Sequence, residues 1–155
     1  MSNRIDYMKI APDAMKGFVA VYGYLAQSGL EKNLIDLAFL RVSQINGCAY
    51  CIDMHTQDMH KHGAPFEKLV LTSAWRESGD VFSKREQAVL AWAESLALVA
   101  DTGVPDADYD AVVAEFSEKE VVDLSVAIAL MNAFNRMGVA FRNKPMAATR
   151  LARAA

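Results

Sequence analysis

Two capping signals constrain this chain more than any other feature. Ser83-x-x-Glu86 and Ser117-x-x-Glu120 each put a hydroxyl at a helix N-cap and a carboxylate at N3, and each opens a long apolar run, SKREQAVLAWAESLALVA and SEKEVVDLSVAIALMNAFNRMGVAF. In such a box two backbone donors that the helix leaves unpaired are satisfied reciprocally. Helices are therefore expected over 83–100 and 118–141. Val126, Ile128 and Leu130 alternate briefly, as a strand does, but the flanking spacing and the Ala and Met content favour helix.

The rest of the chain reads the same way. Residues 12–28 begin with Pro12 at a first-turn position, carry Met15, Phe18, Val19, Tyr22 and Leu25 at helical spacing, and stop at Gly29. Residues 31–45 repeat Leu34, Leu37, Ala38 and Ile45 before Asn46-Gly47. A helix over 48–62 closes at Gly63, and shorter ones are expected over 66–77 and 106–116. The sum is an all-α fold of about seven helices with no convincing strand, in a single domain spanning 1–155. The last ten residues before the final Ala are expected to fray or to dock on a neighbour. The helices over 83–100 and 118–141 are apolar around more than one stripe, and 155 residues offer limited interior for two of them, so a homo-oligomer is expected.

Charge removes several function classes. Sixteen Lys and Arg against 19 Asp and Glu leave a net charge of −3 with no clustered basic stretch, which argues against nucleic acid as a partner. No run approaches the roughly 18 apolar residues of a membrane helix, and the polar opening MSNRIDYMKI does not read as a signal peptide. A cytoplasmic protein is the expectation. The two cysteines, three apart, suit a redox pair or half a metal site better than a secreted disulfide framework.

Within NGCAYCIDMHTQDMHKHG, Cys48, Cys51 and His55 fall inside an arc of roughly 60° on one helical face, so all three can touch. Both cysteines occupy the first turns, where free N–H groups and the helix dipole favour a thiolate. His55, four residues beyond Cys51, can take its proton and then stand as a cationic neighbour. A Cys-x-x-Cys pair at a helix start can also close into a disulfide with little backbone movement.

The run IDLAFLRVSQINGCAYCIDMHT resembles the core motif of the AhpD-like alkylhydroperoxidase and carboxymuconolactone decarboxylase family. REQAVLAWAESL and VPDADYDAVVAEFSEKEVVDLSVAIALMNAFNRMGVAFR resemble its second half, so the likeness covers about residues 10–143. The resemblance implies an all-helical fold assembled into trimers or hexamers and thiol-dependent reduction of hydroperoxides. It implies that Cys51 is the peroxidatic cysteine, that Cys48 condenses with its sulfenic acid, and that His55 relays protons. Electrons would come from a dithiol reductant or pass to a partner peroxidase, with no cofactor and no metal. Two positions depart from the pattern: Asp36 stands where the family usually has a glutamate orienting the histidine, and Tyr50 stands where a histidine often lies between the cysteines.

Other readings stay open. Cys48, Cys51 and His55 would supply three zinc ligands, but His62 lies about 10 Å along the helix axis and His60 points elsewhere, leaving only Asp36 or a water as the fourth. The pair could equally be a redox-responsive switch without turnover, and the family name admits a lactone decarboxylase. Trp75 and Trp92 read as core or interface anchors, Glu86 as a cap, and Glu94 as part of a solvated face.

Overall fold

The structure, a computed structural model, describes residues 4–154. Every regular element among them is helical. In chain order these are α1 (Tyr7–Ile10), α2 (Pro12–Leu25), α3 (Lys32–Ile45), α4 (Ala49–Lys61), α5 (Phe66–Leu71), α6 (Lys84–Ala97), α7 (Val99–Thr102), α8 (Asp106–Val113), α9 (Glu118–Ala140) and α10 (Met146–Ala154). Two 3₁₀ segments, Thr72–Glu77 and Gly79–Val81, join α5 to α6.

Both capping boxes form: Ser83 accepts from the Glu86 N–H and Ser117 from that of Glu120, with each glutamate bonding back to its cap residue's N–H. The count nevertheless exceeds about seven. The expected 66–77 helix ends at Leu71, where Thr72 Oγ1 donates to the Lys68 carbonyl at 2.6 Å and draws that acceptor into a local bond. The 83–100 run breaks at Leu98 and restarts as α7, its end tied down by Thr102 Oγ1 on the Ser95 carbonyl.

The core forms around α3, α6 and α9. On α3, Leu34, Ile35, Leu37, Ala38, Phe39, Leu40 and Val42 are all buried, so this helix is apolar nearly all round and not along one stripe. It packs against α4, α6 and α9. The long α9 is likewise enclosed, touching α2, α3, α4, α6 and α8. A single chain thus covers most of both apolar helices, and Val122 and Val139 are the large apolar side chains α9 leaves exposed. Trp75 and Trp92 are both core residues, with their indole N–H groups on Glu94 and Ser125.

Glu94 is not on a solvated face. It accepts from Arg41 at 2.7 and 2.9 Å, from Trp75 at 2.8 Å and from Arg76 at 2.7 Å. Burial pushes its carboxyl up, but the bonds from Trp75, Arg76 and Arg41 outweigh that and hold it below the usual glutamate range. The C-terminal segment is a helix anchored within its own chain: Asp53 of α4 accepts the Ala147 N–H at 2.7 Å, at the start of α10, and an Arg150 bond at 3.2 Å. That carboxylate meets the positive end of the helix dipole, which is the favourable sign. No helix is long and apolar enough to cross a membrane among the described residues.

Candidate active site

The turn from α3 to α4 builds the site. Helix α3 ends at Asn46, and Gly47 takes a φ of 64°, a left-handed conformation that side chains resist. Asn46 is pinned to α9 by bonds from its Nδ2 to Asn132 and Asn135, and buried Asn135 donates in turn to Ser43 Oγ at 3.1 Å. The turn therefore has one position relative to α9. Cys48 follows as the N-cap of α4, its sulfur accepting the Cys51 N–H at 3.3 Å. The first-turn donor is thus spent on Cys48.

Cys48 and Cys51 are joined by a disulfide, with Cα atoms 5.3 Å apart and both residues buried. Gly138 of α9 lies directly against it. A Cβ built on Gly138 would meet Cys48 Sγ at 3.0 Å and Cys51 Sγ at 3.7 Å, so the absence of a side chain lets the two helices close over the sulfurs.

His55 is 1 % exposed and neither ring nitrogen has a hydrogen-bond partner. Its ring packs on Phe39 at 5.0 Å between centroids. Asp58 Oδ2 stands 3.9 Å from Nδ1, an electrostatic neighbour beyond bonding range. Burial lowers the imidazole pKa to about 4, Asp58 raising it in part and Lys32 lowering it further. The ring is neutral at pH 7. A buried neutral imidazole with both nitrogens open is able to accept a proton from a thiol or to bond a ligand.

Asp36 is buried as well, but its carboxylate accepts from His62 Nδ1 at 2.8 Å and lies 3.6 Å from Lys32, with no bond to His55. Cys48 and Cys51 are bonded and Cys51 and His55 line one cavity, whereas Asp36 joins a separate pair with His62. Among the described residues no group of three or more His, Cys, Asp or Glu is arranged to hold a metal ion.

Two concavities flank the disulfide. One, of about 350 Å³, is lined by Cys51 and His55 together with Tyr7, Tyr22, Met54, Met131 and Phe134, a largely apolar wall with Asp58 at its edge. The other, of about 750 Å³, runs between the start of α4, the end of α9 and α10, and has Cys48 in its lining. Tyr50 and Gly138 border both. Sequence reasoning missed Gly138 and Asn135. A lone Gly or Asn inside an otherwise apolar helix costs stability, so each was a signal of close packing or of a buried polar partner.

Comparison with known proteins bears on this geometry. The model of the carboxymuconolactone decarboxylase family matches residues 12–95. YdfG of Bacillus subtilis (strain 168), an uncharacterized protein, is 38% identical over 144 residues, which are 93% of this chain and 97% of that protein. The alkyl hydroperoxide reductase AhpD of Maricaulis maris (strain MCS10) is 49% identical over 39 residues, 25% of this chain and 22% of its own. The crystal structure of ATU0492 from Agrobacterium tumefaciens, a protein of unknown function offered as a candidate antioxidant-defence protein AhpD, superposes with a TM-score of 0.90 at 40% identity, covering 93% of this chain and 98% of that one.

Proposed function

This chain belongs to the carboxymuconolactone decarboxylase family, and we propose that it serves as a cytoplasmic thiol-dependent peroxidase reducing organic hydroperoxides or hydrogen peroxide through Cys48, Cys51 and His55. The observation that carries this reading is the place of the disulfide: one of its sulfurs belongs to a residue that shares a largely apolar cavity with a buried imidazole whose nitrogens are both open. The AhpD names borne by a relative and by a structural neighbour point the same way.

In the reduced protein His55 takes the proton of Cys51 as the two ionise together, the adjacent thiolate offsetting the burial that lowers the imidazole pKa. The Cys51 thiolate attacks the terminal peroxide oxygen, the O–O bond breaks, sulfur is oxidised to a sulfenic acid, and the departing alkoxide is protonated to the alcohol. Cys48 then attacks the Cys51 sulfur, an S–S bond forms and water leaves. A dithiol donor returns two electrons and restores both thiols. Sulfur carries every electron in this cycle. Asp36 acts at one remove: it offsets the charge of Lys32, which otherwise depresses His55 further.

The test is a single turnover, in which fully reduced protein meets one equivalent of an organic hydroperoxide and the Cys48–Cys51 disulfide is followed by mass. Stoichiometric disulfide formation much faster than oxidation of a free thiol is expected, and loss of that reactivity in Cys51→Ser with the fold retained. Unchanged peroxide consumption in Cys51→Ser would sink the assignment.

A further inference from the structure

The two cysteines line different, adjoining concavities. Cys51 borders the cavity that holds His55, and Cys48 borders only the groove beside α10. That groove carries a charge opposite to the chain as a whole, whose net charge is −3. Arg142, Lys144 and Arg153 line it, all exposed, and none has an ion-pair partner among the described residues. Asp6, in the adjoining hollow, is taken by Lys9 at 3.1 Å. Cys48, 1 % exposed, lines this concavity of about 750 Å³. A flat protein surface does not reach so buried a residue, whereas the volume suits a small ligand.

We propose that this groove binds a low-molecular-weight thiol carrying carboxylate groups and directs its thiolate onto Cys48, so that oxidant and reductant reach the disulfide from two adjoining concavities. The inference rests on the peroxidase reading and supplies its reducing half. The step balances as a thiol–disulfide exchange: the incoming thiolate bonds to Cys48 Sγ, the S–S bond breaks, and Cys51 Sγ leaves as a thiolate into the cavity it shares with His55. A second reductant thiolate then attacks the reductant sulfur of the mixed disulfide, Cys48 leaves and is protonated, and the reductant departs as its own disulfide. Which sulfur is attacked is decided by approach, and of the two cysteines Cys48 is the one that lines the cationic groove.

The experiment uses the full oxidised chain without peroxide. Its disulfide is reduced by mercaptopropionate, mercaptoethanol or cysteamine, each rate being taken per thiolate and divided by the same thiol's rate with a small-molecule disulfide. The expected order is anionic above neutral above cationic, with mercaptopropionate ahead of mercaptoethanol by about tenfold at low ionic strength. The advantage disappears at about 1 M salt, where screening acts within about 3 Å. It also falls toward unity in R142N/K144Q/R153Q, and by a smaller factor in K144Q/R153Q, which leaves the left-handed Arg142 (φ 58°) in place should the triple variant fold poorly. Equal normalised rates for the three thiols, or an advantage that survives salt or the substitutions, would overturn the proposal. Failure here leaves peroxide-driven disulfide formation standing, and failure of that reaction leaves the charge preference measurable.

Discussion

The imidazole of His55 is neutral at pH 7 because the fold buries it without a hydrogen-bond partner, and the same burial makes it a liability in acid. Its pKa falls from an ordinary 6.5 to about 4 in the folded state, so between those values the unfolded chain binds the proton more readily. Stability therefore declines as pH drops from about 6.5 to about 4 and levels off below, by roughly 3 kcal/mol for this one group. Urea unfolding of the disulfide form near neutrality and near pH 4.5 checks this. The wild type is expected to lose roughly 2–3 kcal/mol more than His55→Gln across that interval, and parallel losses would place the acid sensitivity elsewhere. Asp36 shows how a residue's partner escapes a linear reading. Its register twelve residues before Cys48 is plain in the sequence, but which histidine it meets depends on how α3 crosses α4, and that crossing delivers it to His62.

Elements were legible wherever local chemistry decides them. The capping boxes, the Asn46-Gly47 turn and the Gly63 stop all lie where the sequence reading placed them, because each is settled within a few residues by backbone donors and by φ. Helix α9 is different, since Gly138 weakens it locally and is explained only by what lies opposite. Gly138→Ala gains about 1 kcal/mol of helix preference but sets a Cβ 3.0 Å from Cys48 Sγ, a contact that free thiols can rotate away from and a disulfide cannot. In glutathione buffers the variant is expected to hold a severalfold smaller oxidised fraction than wild type. Gly17→Ala, on α2 with nothing within 4 Å of the added carbon, serves as the control and is expected to stabilise by about 0.5–1 kcal/mol without moving that balance. Identical oxidised fractions in the two variants would mean that the approach of α9 does not govern the disulfide.

At the scale of the whole molecule, the expectation of an oligomer loses the ground on which the sequence placed it. The apolar excess of α6 and α9 is absorbed within one chain, since α3 and its neighbours wrap both helices. Besides Val122 and Val139 on α9, exposed apolar side chains include Ile5, Met8 and Ile10 near the N-terminus, Val19 and Tyr22 on α2, and Phe66 and Val70 on α5. Apolar patches of this kind on a small chain mark contact surfaces. We propose assembly into a trimer or hexamer. Light scattering is expected to give the corresponding multiple of 17.0 kDa, and a mass of one chain at micromolar concentration would exclude it.

The amino-acid sequence by itself determined the all-helical class, the Cys48-x-x-Cys51 pair at the head of a helix and the placing of His55 on the same face, since all of these follow from periodicities and caps acting over at most a few turns. The tertiary structure alone decided the rest: that Glu94 is a half-buried anchor, that Asp36 serves His62, that α10 folds back on Asp53, and that Gly138 and Asn135 close α9 over the disulfide. These are contacts between side chains tens of residues apart. They are selected by how apolar helices pack and by which polar groups that packing leaves to be satisfied, and no local period encodes either.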